Sequence, residues 1–322
     1  MYPLDEALIK VADNIYDMFH TRYTLYSQAY QHKIVNIIEE KISEALIAAK
    51  DKLSNILSNG TGAENLTTTA KTMKEFIKLS DHIFEEILYS TDDELKDARM
   101  KLEDVVRRRL PKCVGETEFA TIVTFGKHTP DKWNEAVDEW NKLLPTVFLD
   151  KNDFIFDTIQ LDYSPSKAET PINNVYFYSK RNPTDVIDIK KYELSSLLPE
   201  EFTEYVGRVY YTKKSDEEER DSKECFRWWR LSEDGMCMIL VFDQKEFRGN
   251  WRLITSDCPS LDRCSITEVR SCKVLSGEWD LYEGPGYTEP RYQLQKVDYR
   301  NPEVWGANGN TAPALSVKRR TE

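Results

Sequence analysis

The sequence predicts a multidomain protein: a helical N-terminal region, then an α+β lobe, then an all-β C-terminal module. Three observations carry that reading. Ile34, Ile38, Ile42, Ala45 and Ala49 recur at spacings of three and four, with Glu39, Glu40, Lys41 and Glu44 on other faces, the pattern of a helix with one apolar side. From about residue 115 the words ATIVTF, FIFDTIQLDY and NNVYFYSK turn β-branched, aromatic and partly alternating, as strands are. Ten of the twelve residues from Lys213 to Glu224 are charged, and past them glycine, aromatic residues and cysteine rise while short strands alternate with turns.

Taken in order, residues 5 to 58 read as helix, ended by Ser58-Asn59-Gly60-Thr61-Gly62. A second helix starts near Thr69 and carries Met73, Phe76, Ile83, Phe84, Ile87 and Leu88. Thr91-Asp92-Asp93-Glu94 supplies a cap and early acids for a third, which runs toward Arg109 and stops at Pro111. Asp131–Leu144 and Pro199–Tyr205 read as helical inside the α+β lobe. The predicted domains are 1–114 (helical), 115–212 (α+β), 213–235 (a solvated charged linker) and 236–322 (all-β).

Composition narrows the function. The chain has 322 residues, 31% of them charged, and a formal net charge of −12, which makes nucleic acid an unexpected main partner. The start, MYPLDEALIK, lacks the cationic and apolar regions of a signal peptide, and no apolar run approaches membrane-spanning length. The expected location is nuclear or cytoplasmic, with no membrane partner. Cys113, Cys225, Cys237, Cys258, Cys264 and Cys272 include no C-x-x-C pair, so reduced thiols and no zinc ribbon are expected.

Specific words then carry a resemblance. Tyr16-Asp-Met-Phe-His-Thr-Arg22, Ala29-Tyr-Gln-His-Lys33, Phe84-Glu-Glu-Ile-Leu-Tyr-Ser-Thr-Asp92, Leu95-Lys-Asp-Ala-Arg99, Val114-Gly-Glu-Thr117, Val175-Tyr-Phe-Tyr-Ser-Lys180 and Leu197-Leu-Pro-Glu-Glu-Phe202 resemble, in order and spacing, the SAM-and-HD-domain dNTP triphosphohydrolase family over about residues 8–212. The family splits a dNTP into nucleoside and triphosphate at a metal held by two histidines and two aspartates. Those ligands lie upstream of the first matched word. The chemistry needs them, because the metal acidifies its bound water and neutralises phosphate oxygens. His20, His32, His82 and His128 are followed by threonine, lysine, isoleucine and threonine, so the chain holds no His-Asp dipeptide.

The resemblance therefore implies an α-helical HD-type remnant with no metal site and no catalytic residue. It places Arg22 at substrate phosphates and Tyr30 and Gln31 at the sugar. It places Arg108 and Lys112 at a guanine-nucleotide regulatory site, and His32, Lys33 and Lys180 at the adjoining dNTP site. Plainer readings stand beside these: Arg22 and Arg108 paired with helix acids, Tyr30 in the core, His32 and His82 on the surface or satisfied in the core. The family carries a histidine where Tyr26 stands and basic residues at Ser27 and Gln28, so the polyanion environment is weaker here.

A second resemblance covers about 236–320. Phe242-Asp-Gln-Lys-Glu-Phe-Arg-Gly249 fits an aromatic, six residues, then a glycine in a backbone shape closed to other residues. Trp251, Ser256–Leu261 and Ser271 follow, and then a second motif with Trp279, Tyr282, Gly284-Pro-Gly-Tyr287, Asp298-Tyr299, Trp305 and Ser316. This is similar to one βγ-crystallin domain, a double Greek key. Its fold signature falls on Phe242, Gly249, Ser271, Trp279, Tyr282 and Ser316. The second signature glycine is replaced by Glu289, which predicts a distorted second hairpin. Thr267-Glu-Val-Arg-Ser-Cys272 and Thr311-Ala-Pro-Ala-Leu315 lack the oxygen ligands of a tight calcium site.

Together these readings predict a pseudo-enzyme: a nucleotide-binding, oligomerising or regulatory protein with a crystallin module, inactive alone. No cofactor is expected, and Mg²⁺ or Mn²⁺ with a GTP or dNTP activator matter only if the family activity is retained. Expected partners are a second copy, a full-length dNTP triphosphohydrolase, or nucleotide. The alternatives are a fragment or subunit of an active dGTPase-like hydrolase, for which Met1 marks a truncation, and a structural crystallin-like protein.

Overall fold

The computed structural model describes residues 6–57, 77, 80–119, 129–144, 146–162, 175–179, 182–187, 189, 203–213, 215–307 and 314–320. The chain divides into two units, Met1–His128 with Ile155–Thr212, and Thr129–Phe154 with Lys213–Glu322.

The first unit opens with α1 (Glu6–Leu25), a π-helical turn (Tyr26–Tyr30) and α2 (Lys33–Leu57). The single helix expected over 5–58 is thus interrupted at 26–32, where no glycine or proline marks a break. Helix α3 (His82–Tyr89) follows; the segment from Thr69 to Phe76 lies outside the described residues. The Asp92 carboxylate accepts from the Glu94 N–H at 2.9 Å, and α4 (Lys96–Val106) starts one short 3₁₀ turn later. Ala45 and Ala49 of α2 meet Ala98 and Leu102 of α4, with Ile87 and Leu95 completing a buried cluster. Alanine at the crossing lets the helix backbones approach closely.

Strand β1 (Lys112–Phe119) pairs antiparallel with β5 (Thr203–Tyr211), and β5 is central in the order β1-β5-β2, with β2 at Phe154–Asp162. ATIVTF lies outside the described residues. The register shifts between Cys113 and Gly115, a bulge. Thr203–Tyr205, expected to end a helix, belongs to β5. Its sequence Thr-Glu-Tyr-Val-Gly-Arg-Val-Tyr-Tyr is β-branched and aromatic, and most of it is buried. A hairpin of β3 (Phe177–Ser179) and β4 (Asn182–Ile187) packs Phe177 with Ile189 against Ala12 and Tyr16.

In the second unit the expected solvated linker, 213–235, is instead helix α6 (Asp216–Glu233). The Ser215 hydroxyl caps it by accepting from the Glu218 N–H at 3.3 Å, and Asp216, Glu217, Glu218 and Glu219 fill the first turn, where the helix dipole favours anions. Ser222, Cys225, Phe226 and Trp229 recur at helical spacing and are buried. The charges that suggested a linker mark a helix start and an outer face, with Asp221 alone buried among the described ones. They come before an apolar stripe that begins at Cys225.

This face packs on α5 (Pro130–Leu143): Trp133 sits 5.5 Å from Trp229, and Trp140 sits 5.6 Å from Trp228 and 5.5 Å from Trp251, centroid to centroid. Trp251 lies in the β-module, so the two helices and that module share one aromatic core.

The β-module runs β6 (Met238–Phe242), β7 (Trp251–Ile254), β8 (Ser271–Ser276), β9 (Trp279–Gly284), β10 (Thr288–Leu294), β11 (Asp298–Tyr299) and β12 (Ser316–Arg319). One sheet has the order β11-β8-β6-β7 and the other β10-β9-β12. The two halves are interlocked. Strand β11 of the second half pairs with β8 of the first, while Cys258 of the first half bridges Val317 of the second. Between the sheets lie Ile239, Val241, Leu261, Ile266, Trp279, Leu281 and Val317, all buried.

Candidate functional site

Two places concentrate polar side chains on a rigid frame. The first is the junction between α1 and α2. Arg22 stands in the last turn of α1, and its guanidinium lies 5.3 Å from the centre of the Tyr26 ring. The π turn winds Tyr26 and Tyr30 to a ring separation of 5.3 Å. π turns inside helices are frequent at functional sites, because the extra residue re-aims the side chains around it. Tyr30 is 61% exposed, which overturns its reading as a core residue. Gln31 is half-buried; its Oε1 accepts from Asn36 Nδ2 at 2.9 Å. His32 is exposed and its Nδ1 accepts from the Ile34 N–H at 3.2 Å.

The junction is fastened to the sheet by a residue the sequence reading missed. Arg208, with a side chain 7% exposed on β5, ion-pairs with Glu116 on β1 and donates to the Gln31 carbonyl and, at 3.1 Å, to Asn36 Oδ1. Beside it the Tyr210 hydroxyl donates to the Lys33 carbonyl at 3.0 Å, and burial raises that phenol's pKa. A buried guanidinium is costly unless each face finds an acceptor. Arg208 finds three: Glu116 on the sheet, and Gln31 and Asn36 just after the π turn. The available signal was a lone arginine inside Val206-Gly-Arg-Val-Tyr210, a run that otherwise reads as a buried strand.

The other residues implied by resemblance scatter around this frame. Lys33 opens α2 and is exposed, and its positive charge acts on Cys113, whose thiol burial pushes up. Arg108 follows α4 with φ of 55°. Its neighbours are engaged, Arg107 with Glu103 at 3.4 Å and Arg109 with Asp104 at 2.7 Å, whereas Arg108 is exposed and makes no ion pair among the described residues. Among the described residues, neither Arg22 nor Arg108 takes the helix-acid pairing that was its plainer reading. Lys112 is exposed at the start of β1. Lys180 lies outside the described residues. His82 is exposed, with Glu85 3.2 Å away.

A cavity of about 290 Å³ opens behind α2, lined by Asn36, Glu39, Glu40, Asp157 and Tyr210 among others. Its three carboxylates make it a poor host for a polyphosphate. Among the described residues no group of three His, Cys, Asp or Glu side chains is arranged to hold a metal ion.

The second place is the pair of folded hairpins in the β-module. The Ser271 hydroxyl accepts from the Phe247 N–H at 3.0 Å and donates to the Gln244 carbonyl at 2.6 Å. The Ser316 hydroxyl does the same in the second half, accepting from the Tyr287 N–H at 3.1 Å and donating to the Gly284 carbonyl at 2.6 Å. Phe247 and Tyr287 both have positive φ, and their rings pack edge-on against Phe242 and Tyr282. Gly249 has φ of 78°, and a Cβ there would lie 2.0 Å from Asp243 Oδ1. Trp279 is fully buried and donates to the Ser276 carbonyl at 3.1 Å. In the second hairpin the register shifts between Thr288 and Arg291, the stretch holding Glu289. The two serine hydroxyls, the glycine and the packed rings of this set brace the fold.

Comparison with known proteins separates the same two regions. A family model described as Beta/Gamma crystallin matches residues 238–319. The chain is 40% identical over 220 residues to deoxynucleoside triphosphate triphosphohydrolase SAMHD1 of Danio rerio, covering 68% of this chain and 35% of that protein. The Homo sapiens protein of the same name is 39% identical over 221 residues, again 68% of this chain and 35% of that one. Gamma-crystallin S of Oryctolagus cuniculus is 34% identical over 125 residues, covering 36% of this chain and 68% of that protein. The chain thus spans about a third of the length of the triphosphohydrolases it matches.

Proposed function

We propose a function from one premise: the chain belongs to the βγ-crystallin family through its C-terminal domain, and it joins that domain to a segment of deoxynucleoside triphosphate triphosphohydrolase lineage. On that premise the chain binds a nucleotide at the α1–α2 junction and does not hydrolyse it alone. It acts by assembly, with a second copy or with a complete triphosphohydrolase, in the nucleus or cytoplasm.

The observation that carries the reading is a contrast. Arg22, Tyr26 and Tyr30 form an exposed cationic and aromatic surface, with Gln31 half-buried beside it, on a frame locked by Arg208, while the 322-residue chain contains no His-Asp dipeptide. A guanidinium stacked on an aromatic ring keeps its N–H edge free to pair with phosphate oxygens. An exposed tyrosine offers a face to a base or sugar. Without imidazole and carboxylate ligands, nothing acidifies an attacking water. Arg108, Lys112, His32, Lys33 and Lys180 would serve a second nucleotide at an assembly interface. No cofactor is required; Mg²⁺ or Mn²⁺ and a GTP or dNTP activator would matter only in a complex that supplies the metal ligands.

The test is twofold. Purified chain with dGTP, Mg²⁺ or Mn²⁺ and GTP is expected to release no triphosphate, while dGTP titrated into the chain is expected to bind. Arg22→Ala is expected to weaken that binding about tenfold or more, the scale of a lost charge-assisted hydrogen bond. Metal-dependent turnover by the chain alone would favour the hydrolase alternative. Absence of both binding and turnover would leave the structural reading, which the two complete serine-braced hairpins favour.

A further inference from the structure

The crossing between the two crystallin halves carries a feature that neither family resemblance uses. The Cys258 and Cys264 sulfurs lie 3.7 Å apart, unbonded, and among the described residues they are the one pair of cysteine sulfurs in hydrogen-bond contact. Their backbones are well anchored. Cys258 N–H donates to the Val317 carbonyl at 2.8 Å and Val317 N–H returns a bond at 3.0 Å, while Leu261 N–H donates to the Leu315 carbonyl at 2.9 Å. A 3₁₀ turn, Leu261–Cys264, brings the second sulfur back over the first and ends at Ser265 with φ of 58°. A disulfide needs its sulfurs at about 2.0 Å, and these two already stand in contact.

The geometry points to Cys258 and Cys264 as a dithiol that a hydroperoxide converts to a disulfide, a modification site on the crossing that ties one Greek-key half to the other. Accessibility divides the labour. Cys264 is half-buried and reaches solvent, whereas Cys258 is 8% exposed. Burial, then the neighbouring Cys264 thiol, pushes the Cys258 thiol up to about 11, so it stays protonated while Cys264 meets the oxidant. The Cys264 sulfur attacks the outer peroxide oxygen. The O–O bond breaks, Cys264 becomes a sulfenic acid, and the departing oxyanion takes up the thiol proton to leave as an alcohol, or as water from hydrogen peroxide. The Cys258 sulfur then attacks the Cys264 sulfur, the S–S bond forms, the S–O bond breaks, and water leaves with the Cys258 proton. Two thiols lose two protons and two electrons, and one hydroperoxide takes up both. Cys225 and Cys272 are sealed from solvent and take no part.

The sequence makes the test clean, because trypsin cuts after Arg252, Arg263 and Arg270 and so puts Cys258 and Cys264 on separate peptides. The full chain is treated with rising hydrogen peroxide, remaining thiols are blocked with N-ethylmaleimide, and the digest is mapped by mass without reduction. The expected first product is the 253–263 peptide joined to the 264–270 peptide, two hydrogens lighter than their sum. In Cys258→Ser, Cys264 is expected to accumulate as a sulfenic acid trapped by a cyclic diketone. In Cys264→Ser, Cys258 is expected to stay reduced. The proposal is overturned if both peptides remain separate and alkylated at peroxide levels that oxidise Cys113 or Cys237, or if Cys264 joins a different cysteine.

Discussion

The helical junction and the crystallin hairpins solve one problem, fixing an irregular turn, with opposite chemistry. At the junction a buried cation, Arg208, holds the π turn through an ion pair to Glu116 and bonds to Gln31 and Asn36. In the hairpins two buried neutral hydroxyls, Ser271 and Ser316, each accept one backbone N–H and donate to one carbonyl. A neutral latch is cheap to bury and serves only the fold. A buried charge costs far more, and it leaves exposed aromatic and cationic side chains on the turn it braces. The difference marks the junction as the place where conformation was purchased for a surface, and the hairpins as places where it was made for the fold.

Breaking each latch tests the comparison, and the largest effect belongs to the charge. Arg208→Ala leaves the Gln31 carbonyl and Asn36 Oδ1 without their donor, and is expected to cost the first unit about 2–4 kcal/mol in denaturant unfolding. Ser271→Ala leaves the buried Phe247 N–H without its acceptor and is expected to cost about 1–3 kcal/mol, read as an earlier midpoint of the second unit alone. Gly249→Ala is expected to cost about 1–2 kcal/mol from φ of 78° alone, with a further penalty at Asp243.

The smallest effect has the opposite sign. Burial raises the Asp221 carboxyl on α6 against the opposing pull of Arg220, so the folded state favours its protonated form. A raised carboxyl gives stability at acid pH that is lost as pH rises through its folded pKa. Asp221→Asn removes that loss. The variant is expected to be more stable than the parent at neutral pH, and thermal melts across a pH series should show the gap closing as pH falls to the ordinary carboxylate value.

The crystallin domain was legible because its requirements are local and discrete. Gly249 must take positive φ, Ser271 and Ser316 must sit opposite a folded hairpin, and Phe242 must lie beneath it, so each appears as a fixed letter at a fixed spacing. The junction was not legible as a shape. Residues 5–58 keep an unbroken helical pattern, and the π turn is stabilised by a strand residue 177 positions from Gln31, a contact no local pattern encodes. Helix α6 was missed for a different reason: counting charges over Lys213–Glu224 hid the stripe of Cys225, Phe226 and Trp229 that follows. Of the residues placed by resemblance, Arg22, Tyr30 and Gln31 fall at one turn, because they lie within ten residues of one another at the end of α1 and the π turn that follows. Arg108 and Lys112 stand on another bend, where the grouping rests on resemblance alone.

The measurement that meets the central claim most directly is a phosphorus NMR time course of dGTP mixed with the chain and Mg²⁺. The account predicts dGTP phosphate lines that broaden on adding protein, persist without loss, and sharpen again when Arg22→Ala replaces the parent. Growth of free triphosphate resonances, or dGTP lines that the protein leaves unchanged, would contradict it.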